Sequence, residues 1–330
     1  MSLLYPLRFS PLFKERVWGG RRLSRWFPDL PPGPIGEAWV LSDHPQGRTP
    51  IANGPFRGET IQSLRQRLAE AYPDRGDQLL LGRKGVHPRT GEFPLLFKLL
   101  DARDDLSVQV HPGDDFPGLP PGELGKSEMW VVLDAEPGAR LIHGLADGTT
   151  RAGLAGAVAQ GRTMEALRSV TARPGDVYYV PAGVVHALGA GLLVAEIQQS
   201  SDTTYRLYDY DRPGLDGKPR ELHIEQALAC ASYAPPPAPS RLRTPEPNRW
   251  EPLVTSPYFI TEYGRCMNCW YGATDPNTFE VLMILEGTGT IEWFREGVEP
   301  VAAGQTWLLP AEMGRYRLTG EFSALRVRMP

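Results

Sequence analysis

The sequence predicts an all-β fold with attached helices, on three observations. Its 330 residues include 35 glycines and 33 prolines, so the chain is broken at intervals too short for long helices. Between the breaks lie short runs of β-branched, aromatic and aliphatic residues, the composition of buried strands. No GxGxxG or Walker-type loop stands at a strand-to-helix junction, so the usual mark of a nucleotide-binding parallel sheet is missing.

In chain order the expected strands are 93–100, 106–110, 129–133, 177–180 and 192–197, with further short strands within 279–330. Helical periodicity shows in three places. Residues 60–72 carry Ile61, Leu64 and Leu68 at i, i+3, i+7 spacing. Residues 149–170 are Ala-rich, broken near Gly161, with Thr163 as a cap for a restart. Residues 221–232 place Leu222, Ala227 and Leu228 among helix formers. Six prolines fall between Ala234 and Pro247, a composition that favours an extended path over helix or central sheet. The expected division is therefore a larger β-rich domain over 1–233 with helical segments, a Pro-rich linker over 234–249, and a smaller β domain over 250–330.

Bulk composition removes several function classes. A formal net charge of −4 offers no basic excess to neutralise a nucleic-acid backbone. No apolar run approaches the roughly 20 residues that span a bilayer, and Pro6, Arg8 and Pro11 interrupt the first segment. The expectation is a cytoplasmic protein with no membrane and no nucleic-acid partner. Three cysteines are too few for a disulfide scaffold. Cys266 and Cys269 form a lone CxxC without a second ligand pair, and are read as incidental rather than as a zinc site.

The residues that carry chemistry lie in the first part. Gln109 and His111, two apart in SVQVHP, share one face of a strand while Val108 and Val110 share the other. Glu128 opens an apolar strand, where a carboxylate is costly to bury unless paired or metal-bound. His186 ends the pattern G-x5-P-x-G-x2-H, running Gly175, Pro181, Gly183, His186, a tight turn that aims an imidazole back between strands. This turn matches the second motif of the cupin superfamily. The first motif is matched loosely, with Gln109 in place of the usual first histidine. Two imidazoles, a carboxylate and an amide oxygen suit one divalent ion, Zn²⁺ first, with Mn²⁺ or Fe²⁺ as alternatives. His44, His87, His143 and His223 lack such partners and read as structural or surface residues.

With these residues in hand the chain resembles type I mannose-6-phosphate isomerases, most closely their short bacterial form. The resemblance rests on FKERVWGG (13–20), GEAWVLSDHP (36–45), FPLLFKLLDARDDLSVQVHP (93–112), ELGKSEMW (123–130), PGDVYYVPAGVVHAL (174–188) and QQSSDTTYRLYDYDR (198–212). It implies two cupin-like (jelly-roll) β-barrels, the first carrying a helical insertion. It also implies reversible conversion of mannose 6-phosphate to fructose 6-phosphate, with a sugar phosphate as partner and a monomeric or homodimeric state. The family's metal ligands map onto Gln109, His111, Glu128 and His186, its catalytic arginine onto Arg206, and the lysine two residues before its metal-binding glutamate onto Lys126. Long members carry His-Lys-Pro-Glu where this chain has Gly125-Lys126-Ser127-Glu128, which puts the backbone around Lys126 in question. In the second barrel Gly304 and Pro310 echo the motif spacing, but Arg315 stands at the histidine position, so no metal site is expected there.

For such a reaction Arg206 would stabilise the enediolate or hold hydroxyls. Lys126 would contact the substrate or act as base, the contact being favoured. Trp18 would stack on the sugar or simply pack. Glu37, Glu196 and Asp202 are acidic candidates around the site. Two other readings remain open at this stage: an oxygen-using metal cupin, and a sugar-phosphate-binding cupin without activity.

Overall fold

The computed structural model describes residues 4–120, 122–293 and 297–330. Strands take 43% of the chain and helices 12%, so sheets carry the fold, as the punctuated composition predicts. Among the described residues four α-helices accompany them: α1 (Ile61–Ala71), α2 (Gly76–Leu81), α3 (Arg151–Ala159) and α4 (Ile224–Cys230).

The chain forms two compact units that are not contiguous in sequence. One comprises Phe13–Ala38 and Phe97–Arg241; the other comprises Met1–Leu12, Trp39–Leu96 and Leu242–Pro330. This departs from the expected division at 1–233. Leu7–Arg8 pairs with Thr306–Leu309, so hydrogen-bond ladders between distant segments, not chain proximity, set the grouping.

A seven-stranded sheet runs in the order Ser240–Arg241, Asp176–Val180, Glu128–Ala135, Leu192–Gln199, Leu95–Ala102, Leu12–Gly20, Ile35–Leu41. A five-stranded sheet runs Leu167–Thr171, Arg140–Leu145, His186–Leu188, Val108–Val110, Tyr205–Tyr208. One core cluster draws Trp130, Tyr178, Leu192 and Val194 from the larger sheet and Leu141 and Leu188 from the smaller. The opposite face of the five-stranded sheet presents Val108, Val110, Ala187 and Leu207 to Leu154 of α3 and to Ala227 and Leu228 of α4. Strand alternation then sends Gln109, His186 and Arg206 away from that helical layer.

The second unit is built on a sheet ordered Leu7–Arg8, Thr306–Leu309, Glu280–Trp293, Arg315–Arg328, Ile260–Ala273, Trp250–Thr255, with Gly297–Ala302 beside Glu280–Trp293. Leu282, Ile284, Trp307, Leu318 and Phe322 form its core with Leu79 of α2. Thr60 caps α1 reciprocally: its Oγ1 accepts the Ser63 N–H at 3.2 Å, and its own N–H donates to Ser63 Oγ at 2.9 Å.

Two segments differ from expectation. The helix expected over 149–170 ends at Ala159; after Gly161 (φ +66°) the chain passes through a 3₁₀ turn, and Leu167–Thr171 pairs as a strand with Arg140–Leu145. Tertiary pairing of β-branched residues overrides the Ala-rich start. Within the Pro-rich stretch, Ser240 and Arg241 are free of proline and form an edge strand against Asp176–Val177. Cys266 is buried and Cys269 exposed on one strand, three residues apart and so on opposite faces.

Candidate metal centre

Neighbouring strands bring the four predicted ligands together. His186 stands opposite Gln109 across one antiparallel pair, and Gln109 stands opposite Arg206 across the next. Glu128 begins the strand whose alternate residues Trp130 and Val132 enter the core. His186 is placed by the expected turn, where Gly183 (φ +87°) adopts a conformation that L side chains rarely take and donates its N–H to the His111 carbonyl at 2.8 Å.

His111, Glu128 and His186 are each 1% exposed, and their ligand atoms lie within 4.8 Å of one another, the one such cluster among the described residues. Glu128 Oε2 is 3.4 Å from His111 Nε2, and Glu128 Oε1 is 3.3 Å from His186 Nε2. Each imidazole turns its Nδ1–H to a backbone carbonyl: His111 to Thr203 O at 3.0 Å, His186 to Val184 O at 2.8 Å. Both Nε2 lone pairs therefore face the carboxylate. Gln109 completes the group with its amide 3.3 Å from His186 Nε2; a half turn of that amide presents the oxygen there.

Burial, reinforced by the charge of Lys126, pushes His111 down to about 3 and also lowers His186. Burial alone would raise Glu128, but Lys126 and the two imidazoles outweigh it and hold the carboxyl below its ordinary range. Neutral imidazoles beside an ionised carboxylate are the protonation states that metal ligation requires. His111 Nε2 and both Glu128 oxygens are buried without a hydrogen-bond partner. Burying three such atoms unpaired is expensive, and a divalent cation at their meeting point satisfies all three. The residues fit a metal.

Gln109 and Lys126 connect this cluster to a cavity of about 550 Å³. Lys126 is 5% exposed, with Nζ 3.5 Å from Glu128 Oε2. Arg206 lines the same cavity, its Nε 3.3 Å from Ser107 Oγ and its Nη1 donating to Glu221 O at 2.8 Å. Glu37, Glu196 and Asp202 line it too. Glu37 is bound by Arg16 at 2.7 Å; Glu196 is paired with Lys98 at 3.1 Å and accepts the Trp130 indole N–H at 3.1 Å. Trp18 both lines the cavity and packs in the core, with Gly36 so close that a Cβ would lie 2.6 Å from its ring.

The remaining histidines take structural places. His143 Nε2–H donates to Tyr179 O at 3.1 Å, and His223 Nδ1 accepts the Arg206 N–H at 3.3 Å. The GKSE departure has a visible cause. Ser127 donates its N–H to Gln199 Oε1 at 2.8 Å, a bond proline cannot make, and a Cβ on Gly125 would lie 2.4 Å from the Asp114 nitrogen. Sequence reasoning passed over Lys98, Arg16, Ser107 and Arg220. Only Lys98 carried a signal, a lone cation inside the apolar strand LLFKLLDA.

Residues 7–119 match the family model of the phosphomannose isomerase type I catalytic domain. Mannose-6-phosphate isomerase ManA of Bacillus subtilis is 37% identical over 322 residues, covering 96% of each chain. A crystal structure of the mannose 6-phosphate isomerase from Bacillus subtilis superposes with a TM-score of 0.83 at 34% identity, covering 98% of this chain and 99% of that one. A mannose 6-phosphate isomerase solved with zinc bound shares the fold at TM-score 0.73 and 16% identity, with 98% of each chain covered. Conserved over nearly its whole length with such relatives, the chain belongs to the type I phosphomannose isomerase family.

Proposed function

We propose that this protein interconverts mannose 6-phosphate and fructose 6-phosphate with one divalent metal held by Gln109, His111, Glu128 and His186. The observation that carries the reading is the set of buried, unpartnered atoms on His111 and Glu128 beside a polar cavity. Zn²⁺ suits two imidazoles and a carboxylate, and the zinc-bound relative supports it.

The reaction moves a proton between adjacent carbons through an enediol, so negative charge grows on the sugar oxygens. When bound, the metal supplies Lewis-acid stabilisation of that charge and orients the sugar. Arg206 adds a permanently charged planar donor at the cavity wall. Lys126, already 3.5 Å from Glu128, donates to substrate oxygens rather than taking the proton. Glu196 is assigned the proton transfer: burial raises its carboxyl, while Lys98 at 3.1 Å opposes that rise and keeps an ionised form accessible. Trp18 walls the sugar side.

The finer architecture is read as two cupin-like barrels, supported by the two sheets sharing one core in the first unit and by the long antiparallel ladders of the second. The Pro-rich segment 234–249 is read as one linker between them, in keeping with the change of unit at Arg241/Leu242; the chain also changes unit at Leu12/Phe13, Ala38/Trp39 and Leu96/Phe97. Free thiols at Cys230, Cys266 and Cys269 support a reducing compartment, hence a cytoplasmic enzyme. The test is a coupled assay of fructose 6-phosphate formation from mannose 6-phosphate, with and without chelator. Turnover that chelation abolishes and Zn²⁺ restores is expected; no turnover with any of several divalent metals would overturn the reading.

A further inference from the structure

Five cations line the cavity: Arg16, Lys98, Lys126, Arg206 and Arg220. Three of them each face a carboxylate of their own: Arg16 with Glu37, Lys98 with Glu196, and Lys126 with Glu128. Arg206 and Arg220 are arranged differently. Arg206 makes no ion pair among the described residues; its bonds go to Ser107 Oγ and a backbone carbonyl. Arg220 grips Asp209 through two bonds, Nε to Oδ2 at 2.6 Å and Nη2 to Oδ1 at 2.5 Å. The same carboxylate also receives Nε and Nη2 of Arg212, at 3.2 and 3.0 Å. One buried carboxylate thus serves two guanidiniums, with a third beside them. Of the other acids nearby, Glu15, Asp216 and Glu221 are exposed and screened by water, while Asp202 is half-buried on the same cavity.

The backbone explains how Arg220 reaches the cavity. After the strand Tyr205–Tyr208, Tyr210 and Asp211 take φ values of +58° and +50°, left-handed conformations uncommon for non-glycine residues. The chain then makes a short hairpin, with Pro213 bridging Pro219 and Gly214 N–H bonded to Lys218 O. Arg220 is returned to Asp209 with three guanidinium N–H groups still free beside the cavity.

We propose that Arg220 binds the phosphate group of the substrate and that Asp209 positions it for that contact, so that this wall of the cavity selects phosphorylated sugars. A phosphate monoester carries about −1.5 to −2 charges at neutral pH, and a guanidinium whose carboxylate is shared with a second arginine keeps free donors for it. Arg206 contributes to the local potential while remaining available to the sugar oxygens. Burial first, and then the neighbouring Arg220 charge, lower Arg206. The proposal rests on the isomerase reading for the identity of the sugar but not for the anion site itself.

The experiment uses the full-length metal-loaded protein and Arg220→Gln, Arg220→Lys and Asp209→Asn, each checked for metal content and melting temperature. For Arg220→Gln the KM for mannose 6-phosphate and the inhibition constant of inorganic phosphate should both rise by about 10- to 100-fold, with kcat within a few-fold of wild type. Arg220→Lys should recover part of the phosphate affinity, and Asp209→Asn should weaken it with the same KM-over-kcat signature. An unchanged KM and unchanged phosphate inhibition in Arg220→Gln would overturn the proposal, as would a loss confined to kcat. Calorimetric titration with inorganic phosphate keeps the two readings apart. If wild type binds phosphate and Arg220→Gln does not, the anion site stands even where mannose 6-phosphate is not turned over.

Discussion

Glu128 and Glu280 each open a long strand and each is nearly inaccessible, at 1% and 4% exposed, yet they belong to opposite kinds of environment. Glu280, in the second unit, accepts the Tyr316 hydroxyl at 2.9 Å and lies 3.7 Å from Arg326. Glu128, in the first, faces two imidazole lone pairs and keeps both oxygens without a hydrogen bond, with Lys126 standing 3.5 Å from one of them. Burial is common to both. What separates this site from a structural carboxylate is the convergence of two imidazole lone pairs and both carboxylate oxygens in one buried cluster, a set that a cation completes.

The comparison can be broken first at Glu128. Glu128→Gln should lose bound metal and at least about 10³-fold in kcat/KM, measured by elemental analysis and the coupled assay. Retained metal and near-normal rate would place Glu128 with Glu280. Arg206→Ala, which alters the cavity but not the cluster, should cost about 10²- to 10³-fold in turnover while metal content stays whole. Loss of metal in that variant would show that Arg206 supports the cluster rather than the substrate.

Acid sharpens the contrast. In the metal-free protein His111 and His143 are lowered to about 3 and about 4 from 6.5, in both cases chiefly by burial. Between those values the unfolded chain binds more protons than the fold, so the stability they contribute is full above about pH 6.5 and is lost as pH falls. Glu280 is raised by burial, so above 4.5 the fold holds its proton longer than the unfolded chain does, and its contribution grows as pH falls through that window. In chelator, the melting temperature should drop between pH 6.5 and 4, and His143→Gln should flatten that slope. The smallest effect is expected at the closed site. Tyr316→Phe should lower stability by about 1–3 kcal/mol in denaturant titration, with metal content and kcat unchanged.

Much of the centre was legible because strand geometry has a period of two. Gln109 and His111 had to share a face, and the glycine-framed turn had to return His186 toward them. Glu128 stood out as a carboxylate in an apolar run. The cavity was less legible, since Glu196 is tied to Lys98 across strands and Arg220 arrives on a hairpin whose course depends on two left-handed residues. The same limit explains the units: nothing local to Leu7 and Arg8 announces that they pair with Thr306–Leu309. Residues 167–171 followed an Ala-rich helix and became a strand because Arg140–Leu145 offered an edge.

The acceptors that hold the two imidazoles are peptide carbonyls, those of Thr203 and Val184. A carboxylate or hydroxyl in that role could be removed by a single codon change, leaving the ring free to rotate or to switch tautomer. A main-chain oxygen survives any replacement of the residue that bears it. Thr203 and Val184 are therefore free to vary in evolution without disturbing the orientation of His111 and His186. Drift at these supporting positions can reshape the surroundings of the centre while its donor set stays in place.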